Sequence, residues 1–283
     1  MRRAARATAL LLVSSVSMPG WAQGPATPAR GADAPDAEAP DSPPDLSGAW
    51  RMDLYVVSHA RIPVLGTTTI LAHTVFQATV DGPAGEQVLH TRPCKLNPQT
   101  TRNIATTTVP QAFVDHLPSK HVPMVMVRGS GGGWGFTGDM QPQDVGWTRE
   151  RYTPTRAALV PQDKDHPAVL DFEGDGHPGA TVRLDAPLFG EIEIYVVQTA
   201  HTQLSADVGD GEIISGHADP QGFAQRTIGA SNRLFVSNPD ITLDPAQSSF
   251  RMARVPAGTG CAALAKGLGA GAPVRPEDVK PRD

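Results

Sequence analysis

The stretch Gly48-Ala49-Trp50-Arg51-Met52-Asp53-Leu54-Tyr55-Val56-Val57 decides the fold class that this sequence predicts. From Trp50 to Val56 every second residue is apolar, and the charged residues Arg51 and Asp53 stand between them. A period of two is typical of a β-strand with one buried face, whereas a helix would repeat every 3.6 residues. The stretch therefore predicts a strand, and the rest of the chain can be searched for partners.

Nine further segments predict strands, and several of them are rich in Thr and Val: 68–80, 86–91, 122–127, 168–172, 181–184, 190–201, 212–215, 225–229 and 249–255. We expect at most one short helix, at 110–117, because Pro110 stands at its start and Phe113 and Leu117 share one face. The fold class is therefore all-β. Alternation shows strands without showing how they close, so a single antiparallel barrel and a β-sandwich both remain open.

The ends of the chain have a different composition. Residues 1–22 join a basic start to an apolar run and then to Gly20-Trp21-Ala22, which predicts a signal peptide. Residues 23–45 predict a disordered Pro/Ala linker, 46–258 a β-rich domain, and 259–283 a mostly disordered C-terminal tail that opens with an Ala-rich turn. We expect a periplasmic or secreted protein.

Charge argues against two classes of partner. The net charge is −5, and removal of the three arginines in 1–22 would make it −8. Nucleic acid binding needs clustered Lys and Arg, so we expect no nucleic acid partner. No basic amphipathic stretch indicates membrane-surface binding, and we expect no transmembrane segment after signal cleavage.

The chain has two cysteines, Cys94 and Cys261. In an oxidising compartment a single pair favours a disulfide over a metal site, with two free buried thiols as the alternative. For a loop of this length, the chain-entropy model gives an upper value of about 5 kcal/mol.

The start of the first strand, Gly48-Ala49-Trp50, resembles the Gly-x-Trp signature of the lipocalins and related calycin barrels. In that family the Trp closes one end of the barrel beneath an Arg from near the end of the last strand. The resemblance assigns that part to Arg251 or Arg254, and it matches Cys94 and Cys261 to the family's disulfide between a C-terminal segment and a middle strand. It implies noncovalent binding of an apolar small molecule or lipid inside the barrel.

A candidate metal site lies in Asp171-Phe172-Glu173-Gly174-Asp175-Gly176-His177-Pro178-Gly179, which resembles the Asp-x-Asp-x-Asp-Gly loops of calcium-binding proteins. Asp171, Glu173 and Asp175 would be side-chain ligands, and the His177 carbonyl would be a fourth. The ninth and twelfth loop positions carry no carboxylate. The alternative is a polar turn between two strands. Calcium is the only cofactor that the sequence suggests.

No catalytic motif selects an enzyme, because Gly-x-Ser-x-Gly and His-Glu-x-x-His are both missing from the sequence. His59, His73 and His90 fall in or just after three successive strand segments, and barrel closure could bring them together. We expect a binding protein. The alternatives are a cell-envelope structural or protein-interaction module with a filled core, and an uncharacterised hydrolase.

Overall fold

The computed structural model describes residues 42–62, 66–101, 105–186 and 189–266. The predicted signal peptide, all but the last four residues of the predicted linker, and residues 267–283 of the predicted tail lie outside these ranges. Among the described residues, no helix has the length and hydropathy needed to cross a membrane.

The described part of the chain forms twelve strands and two short α-helices. The strands are β1 (Gly48–Ile62), β2 (Gly66–Asp81), β3 (Val88–Thr100), β4 (Thr106–Thr108), β5 (Lys120–Arg128), β6 (Trp134–Asp139), β7 (Gln143–Val145), β8 (Ala180–Ala186), β9 (Gly190–Asp207), β10 (Ile213–Ala230), β11 (Asp240–Leu243) and β12 (Ser249–Arg254). The helices are α1 (Gln111–His116) and α2 (Cys261–Lys266).

Eight strands form a closed ring in the order β10-β12-β1-β2-β3-β5-β6-β9, and β9 pairs back with β10. Every neighbouring pair in the ring is antiparallel. Closure of this kind leaves no unpaired edge within the ring. The prediction of an antiparallel all-β fold is confirmed.

The ring closes along only part of its longest strands. β12 pairs with β1 from Trp50 to Tyr55, and β6 pairs with β9 only from Gln203 to Asp207. Beyond those limits β1, β2 and β3 continue as one wall, extended by β11, while β9 and β10 continue as a second wall, extended by β7 and β8. In the ring, each strand is hydrogen-bonded to the next, whereas short elements and loops connect the two walls. The space between the walls therefore leaves room for a cavity.

The main hydrophobic core fills the interior of the closed ring, which we call the ring end of the molecule. Inward-facing residues of β1 alternate as predicted, and Trp50 and Met52 are fully buried. Side chains from the other ring strands pack against them, and each one buried contributes about 1.5–3 kcal/mol. This cluster includes Leu46, Phe76, Leu89, Val122, Phe136, Leu204, Ile214, Phe250 and Met252.

The opposite face of β1 is also buried, which the alternation with charged residues did not predict. Asp53 is 4% exposed and Tyr55 is 2% exposed. Burial of the Asp53 carboxylate is compensated because His73 Nε2 lies 2.8 Å from it and Arg51 donates two hydrogen bonds to it, each of 2.8 Å. The His73 ring stacks on Tyr55 at 4.5 Å.

Two local predictions need correction. Residues 168–172 do not form a strand: Val169 makes one isolated bridge and Asp171 another, because the segment bends to form a loop held by its own side chains. The helix predicted at 110–117 is present as α1, but a second helix, α2, replaces the expected Ala-rich turn. Buried Leu264 packs α2 against β2 and β3, and this tertiary contact favours the helix.

Candidate functional site

Trp50 and Arg254 close the ring end of the molecule. The Trp50 indole Nε1 donates to the Leu46 carbonyl at 3.0 Å, and the Arg254 guanidinium lies 4.5 Å from the centre of the indole ring. Arg254 also donates to the carbonyl oxygens of Ser47 at 2.9 Å and Gly211 at 3.0 Å. Of the two arginines that the resemblance offered, the structure brings Arg254 to Trp50, whereas Arg251 is the ladder partner of Asp53.

The disulfide predicted between Cys94 and Cys261 is present, with the two Cα atoms 5.1 Å apart. It joins α2 to β3 across a sequence separation of 167 residues. Cys94 is buried beside Val75 and Leu264, so the bridge is part of a small satellite core.

The candidate site is a cavity of about 440 Å³ between the two walls. This volume lies within the range of about 300–1,000 Å³ that is typical of small-molecule sites. Alternate residues of the strands face it, as the pleat requires, and α1 adds Phe113. Its principal apolar lining residues are Leu54, Val56, Ile70, Leu96, Phe113, Leu117, Val182, Ile194, Val196, Phe223, Phe235 and Ile241. The helix face that Phe113 and Leu117 were expected to share therefore contributes to the cavity.

The polar part of the lining is almost entirely uncharged. Within the described residues, no Asp, Glu, Lys or Arg lines the cavity, and the polar groups are mainly Thr hydroxyls and Gln amides. His201 is the exception, and its Nε2 lies 2.6 Å from Asp139 Oδ1. Burial disfavours the charged form of Asp139, but hydrogen bonds from Gln141 N–H and from His201 outweigh it and hold the pKa of Asp139 below its usual value.

Aromatic and aliphatic side chains surround one side of the cavity at the protein surface. Phe235 lines the cavity and contacts Phe189, with ring centres 5.2 Å apart. Phe189 is 55% exposed, and Leu234, beside Phe235 in the chain, is 79% exposed. An apolar ligand that entered here would pass over apolar surface.

The residues of the candidate calcium loop lie together, but their carboxylates bind the loop itself. Asp171 accepts hydrogen bonds from the N–H groups of Asp175 and Gly176, both at 2.9 Å. Asp175 accepts from His177 N–H and from the Thr181 hydroxyl. In the described ranges, no three His, Cys, Asp or Glu side chains are grouped so as to hold a metal ion.

Glu173 and His177 are held separately. Glu173 accepts from Thr181 N–H at 2.7 Å, and its other carboxylate oxygen is buried without a hydrogen-bond partner. Burial raises the pKa of Glu173 despite that hydrogen bond. The His177 ring stacks on Tyr195 at 4.4 Å.

The three histidines that closure could have gathered do not form one site, because each binds its own carboxylate: His59 binds Asp244, His73 binds Asp53, and His90 binds Asp81. His59 also lies 3.0 Å from the Thr69 hydroxyl. The chain Thr69–His59–Asp244 has the connectivity of a hydroxyl nucleophile, a base and an orienting carboxylate. However, Thr69 is only 3% exposed and none of the three residues lines the cavity, so a substrate in the cavity would not reach the hydroxyl. These hydrogen bonds connect the turn at Asp244 to β1 and β2.

Three glutamines on the second wall were not recognised in the sequence as site residues. Gln198 on β9 and Gln225 on β10 are direct cross-strand partners, and Gln143 on β7 lies diagonally to Gln198. All three line the cavity. The available signal was weak: Gln198 occupies an inward position among Ile194, Val196 and Ala200, where a strand facing an ordinary core would carry an apolar residue.

The comparisons with known proteins give little further information. No protein-family model matches the sequence, and no curated protein sequence matches it. Among solved structures, the chain is similar to DynF from the dynemicin biosynthesis pathway of Micromonospora chersina, with 11% sequence identity over 77% of this chain and 86% of that chain and a TM-score of 0.33. A likeness this low carries no argument about fold or function, so the resemblance to lipocalins stays a prediction from the residues around Trp50.

Proposed function

We propose that this protein binds an apolar small molecule or lipid noncovalently in the cavity between its two walls. The observation that carries the proposal is the cavity itself, about 440 Å³ and lined mainly by aliphatic and aromatic side chains. Water in such a space makes few hydrogen bonds, so an apolar ligand that displaces it gains free energy.

The alternative of an interaction module with a filled core is less well supported. Side chains do fill the ring end, where Trp50 and Phe136 are fully buried. The walls beyond the ring leave the cavity open, and a chain selected only for stability would have little reason to keep a space that costs packing energy.

The location that we propose is periplasmic or secreted. The disulfide between Cys94 and Cys261 supports it, because such bonds persist in oxidising compartments. A carrier of apolar molecules would have a use there, since apolar molecules move poorly through water.

Two measurements test binding. Lipid extraction of the purified protein followed by mass spectrometry should release an apolar molecule, and N-phenyl-1-naphthylamine, an uncharged fluorophore that brightens in apolar surroundings, should bind with one site per chain. Absence of both a co-purified molecule and saturable fluorescence would overturn the proposal.

A matched pair of variants locates the site. Ala200 faces the cavity from β9, so Ala200→Phe should fill part of the space and weaken fluorophore binding at least tenfold. Ser215 is exposed on β10, so Ser215→Phe adds the same side chain outside the cavity and should leave binding within twofold. Equal effects of the two substitutions would place the fluorophore elsewhere.

A further inference from the structure

The cavity wall formed by β7, β9 and β10 carries a row of three amide side chains, Gln143, Gln198 and Gln225, which we call the glutamine row. Gln198 and Gln225 are directly opposite each other, and such neighbours have Cβ atoms about 4.5–5.5 Å apart. Gln143 is paired with Ala200, two residues along β9 from Gln198, so it is a diagonal neighbour about 7–8 Å away. One ligand group can therefore be within reach of all three amides.

The glutamine row is surrounded by apolar surface. Val196 and Ile194 lie on the same face of β9, and Val145 is the ladder partner of Gln198. An amide placed among such residues costs free energy unless it is hydrogen-bonded. Each amide has one acceptor oxygen and two donor hydrogens.

These amides make no hydrogen bond to the protein through their side chains within the described residues, whereas several glutamines outside the cavity do. Gln87, for example, donates to Asp45 at 2.9 Å, and Gln77 donates to the Thr259 carbonyl at 2.9 Å. The donors and acceptors of the glutamine row thus remain free for a ligand. The opposite wall adds the Thr68 hydroxyl, which is buried, lines the cavity and has no hydrogen-bond partner.

The charge of the lining restricts the ligand further. No Lys or Arg among the described residues lines the cavity, and the His201 ring there is already paired with Asp139, so no unpaired cation compensates a buried carboxylate or phosphate. Likewise, no Asp or Glu there compensates a buried ammonium group. A charged ligand group would have to leave water without an opposite charge, at a high cost in free energy.

We propose that the glutamine row selects an uncharged amphiphile: an apolar molecule that carries an amide, ester, ketone or alcohol group, and not a fatty acid anion. The group hydrogen-bonds the row while the apolar remainder fills the cavity. This proposal rests on the proposed function, and it specifies the class of ligand that the same cavity takes.

The experiment is competition against bound N-phenyl-1-naphthylamine at pH 8 with two ligands of equal chain length. Decanamide is neutral and both donates and accepts hydrogen bonds, whereas decanoate is ionised at this pH. We expect decanamide to displace the fluorophore at a concentration at least tenfold lower than decanoate does. The double variant Gln198→Leu/Gln225→Leu should weaken decanamide about tenfold, which corresponds to one or two lost hydrogen bonds.

The fluorophore reports whether the double variant is folded, because it needs only apolar surface and should still bind the variant saturably, with one site per chain. Gln203→Leu is the matched control, since Gln203 is exposed on the same strand and does not line the cavity. If the fluorophore binds but decanoate competes as well as decanamide, or the double variant keeps its affinity for decanamide, the ligand class is wrong while the proposed function stands. If the fluorophore does not bind the unaltered protein, the proposed function fails and the ligand class fails with it.

Discussion

Arg254 covers the indole ring of Trp50 with its guanidinium 4.5 Å from the ring centre, and so the last strand of the ring seals the first. The two residues are also direct ladder partners on β12 and β1. Arg254 adds hydrogen bonds to two carbonyl groups from separate segments, Ser47 and Gly211. One side chain therefore holds together the three segments that meet at the closed end.

We expect Arg254→Ala to lower the free energy of unfolding by roughly 2–4 kcal/mol, because it removes a cation–π contact and two charge-assisted hydrogen bonds. Urea denaturation followed by Trp fluorescence measures the loss. Arg251→Ala is the control from the same strand and should cost under about 1 kcal/mol. Equal losses for the two variants would contradict the role given to Arg254.

Reduction of the disulfide should destabilise the protein without changing its ligand preference. The bridge closes a loop of 167 residues, and removal of such a constraint costs about 2–5 kcal/mol. Denaturation with and without dithiothreitol measures the loss, and the Cys94→Ala/Cys261→Ala variant should be insensitive to the reductant. A reductant effect that persists in this variant would assign the loss to another cause.

We expect acid to destabilise the protein by protonating Asp53, which is buried on the face of β1 opposite the main core. Burial opposes ionisation of Asp53, but hydrogen bonds from His73 and Arg51 outweigh it and hold its pKa below the usual 3.8. A carboxyl with a lowered pKa in the folded state stabilises the protein above its unfolded-state pKa, and that stability is lost as the pH falls from about 3.8 through the lower folded-state pKa. We therefore expect the free energy of unfolding to fall in this window, and Asp53→Asn to be less stable at pH 7 and to show a shallower decline. An unchanged slope in Asp53→Asn would contradict this account.

Gly216 should tolerate no side chain. It lies where β10 pairs with Ala206 of β9 on one side and with Phe250 of β12 on the other. A Cβ there would lie 2.3 Å from the Ser205 carbonyl oxygen and 2.7 Å from the Phe250 ring, so Gly216→Ala should cost roughly 2–4 kcal/mol or prevent closure of the ring.

The control for Gly216→Ala is Gly133→Ala, because a Cβ at Gly133 would meet no atom within 4 Å. It should change stability by under about 0.5 kcal/mol. Thermal denaturation by circular dichroism compares the two variants, and a similar melting temperature for both would contradict the close approach at Gly216.

The Asp171 loop should not respond to calcium. Asp171 and Asp175 accept hydrogen bonds from their own loop, so a cation would have to displace them. We expect the same melting temperature in calcium and in a chelator. A rise with calcium that Asp175→Asn abolishes would contradict this expectation and support the sequence prediction of a metal site.

Periodicity made the strands predictable one at a time, since each strand shows its own pattern of inward residues. The predicted strand 190–201 falls within β9 (Gly190–Asp207), and 249–255 covers β12 (Ser249–Arg254). The prediction at 168–172 was wrong because a short apolar run beside Asp171 fits a strand and a side-chain-held loop equally well. Local sequence does not distinguish the two.

The sequence by itself determined the all-β class, the inward side of β1 and the one possible disulfide, because alternation and a single pair of cysteines are local or countable properties. Only the tertiary structure decided that the strands close into a ring at the Trp50 end and separate at the other end. Closure depends on the length over which each pair of neighbouring strands is hydrogen-bonded. The separation of the strands beyond the ring creates the cavity. The pairing of β7, β9 and β10 places Gln143, Gln198 and Gln225 on one wall of it. No sequence pattern within a single strand predicts that these three glutamines lie side by side.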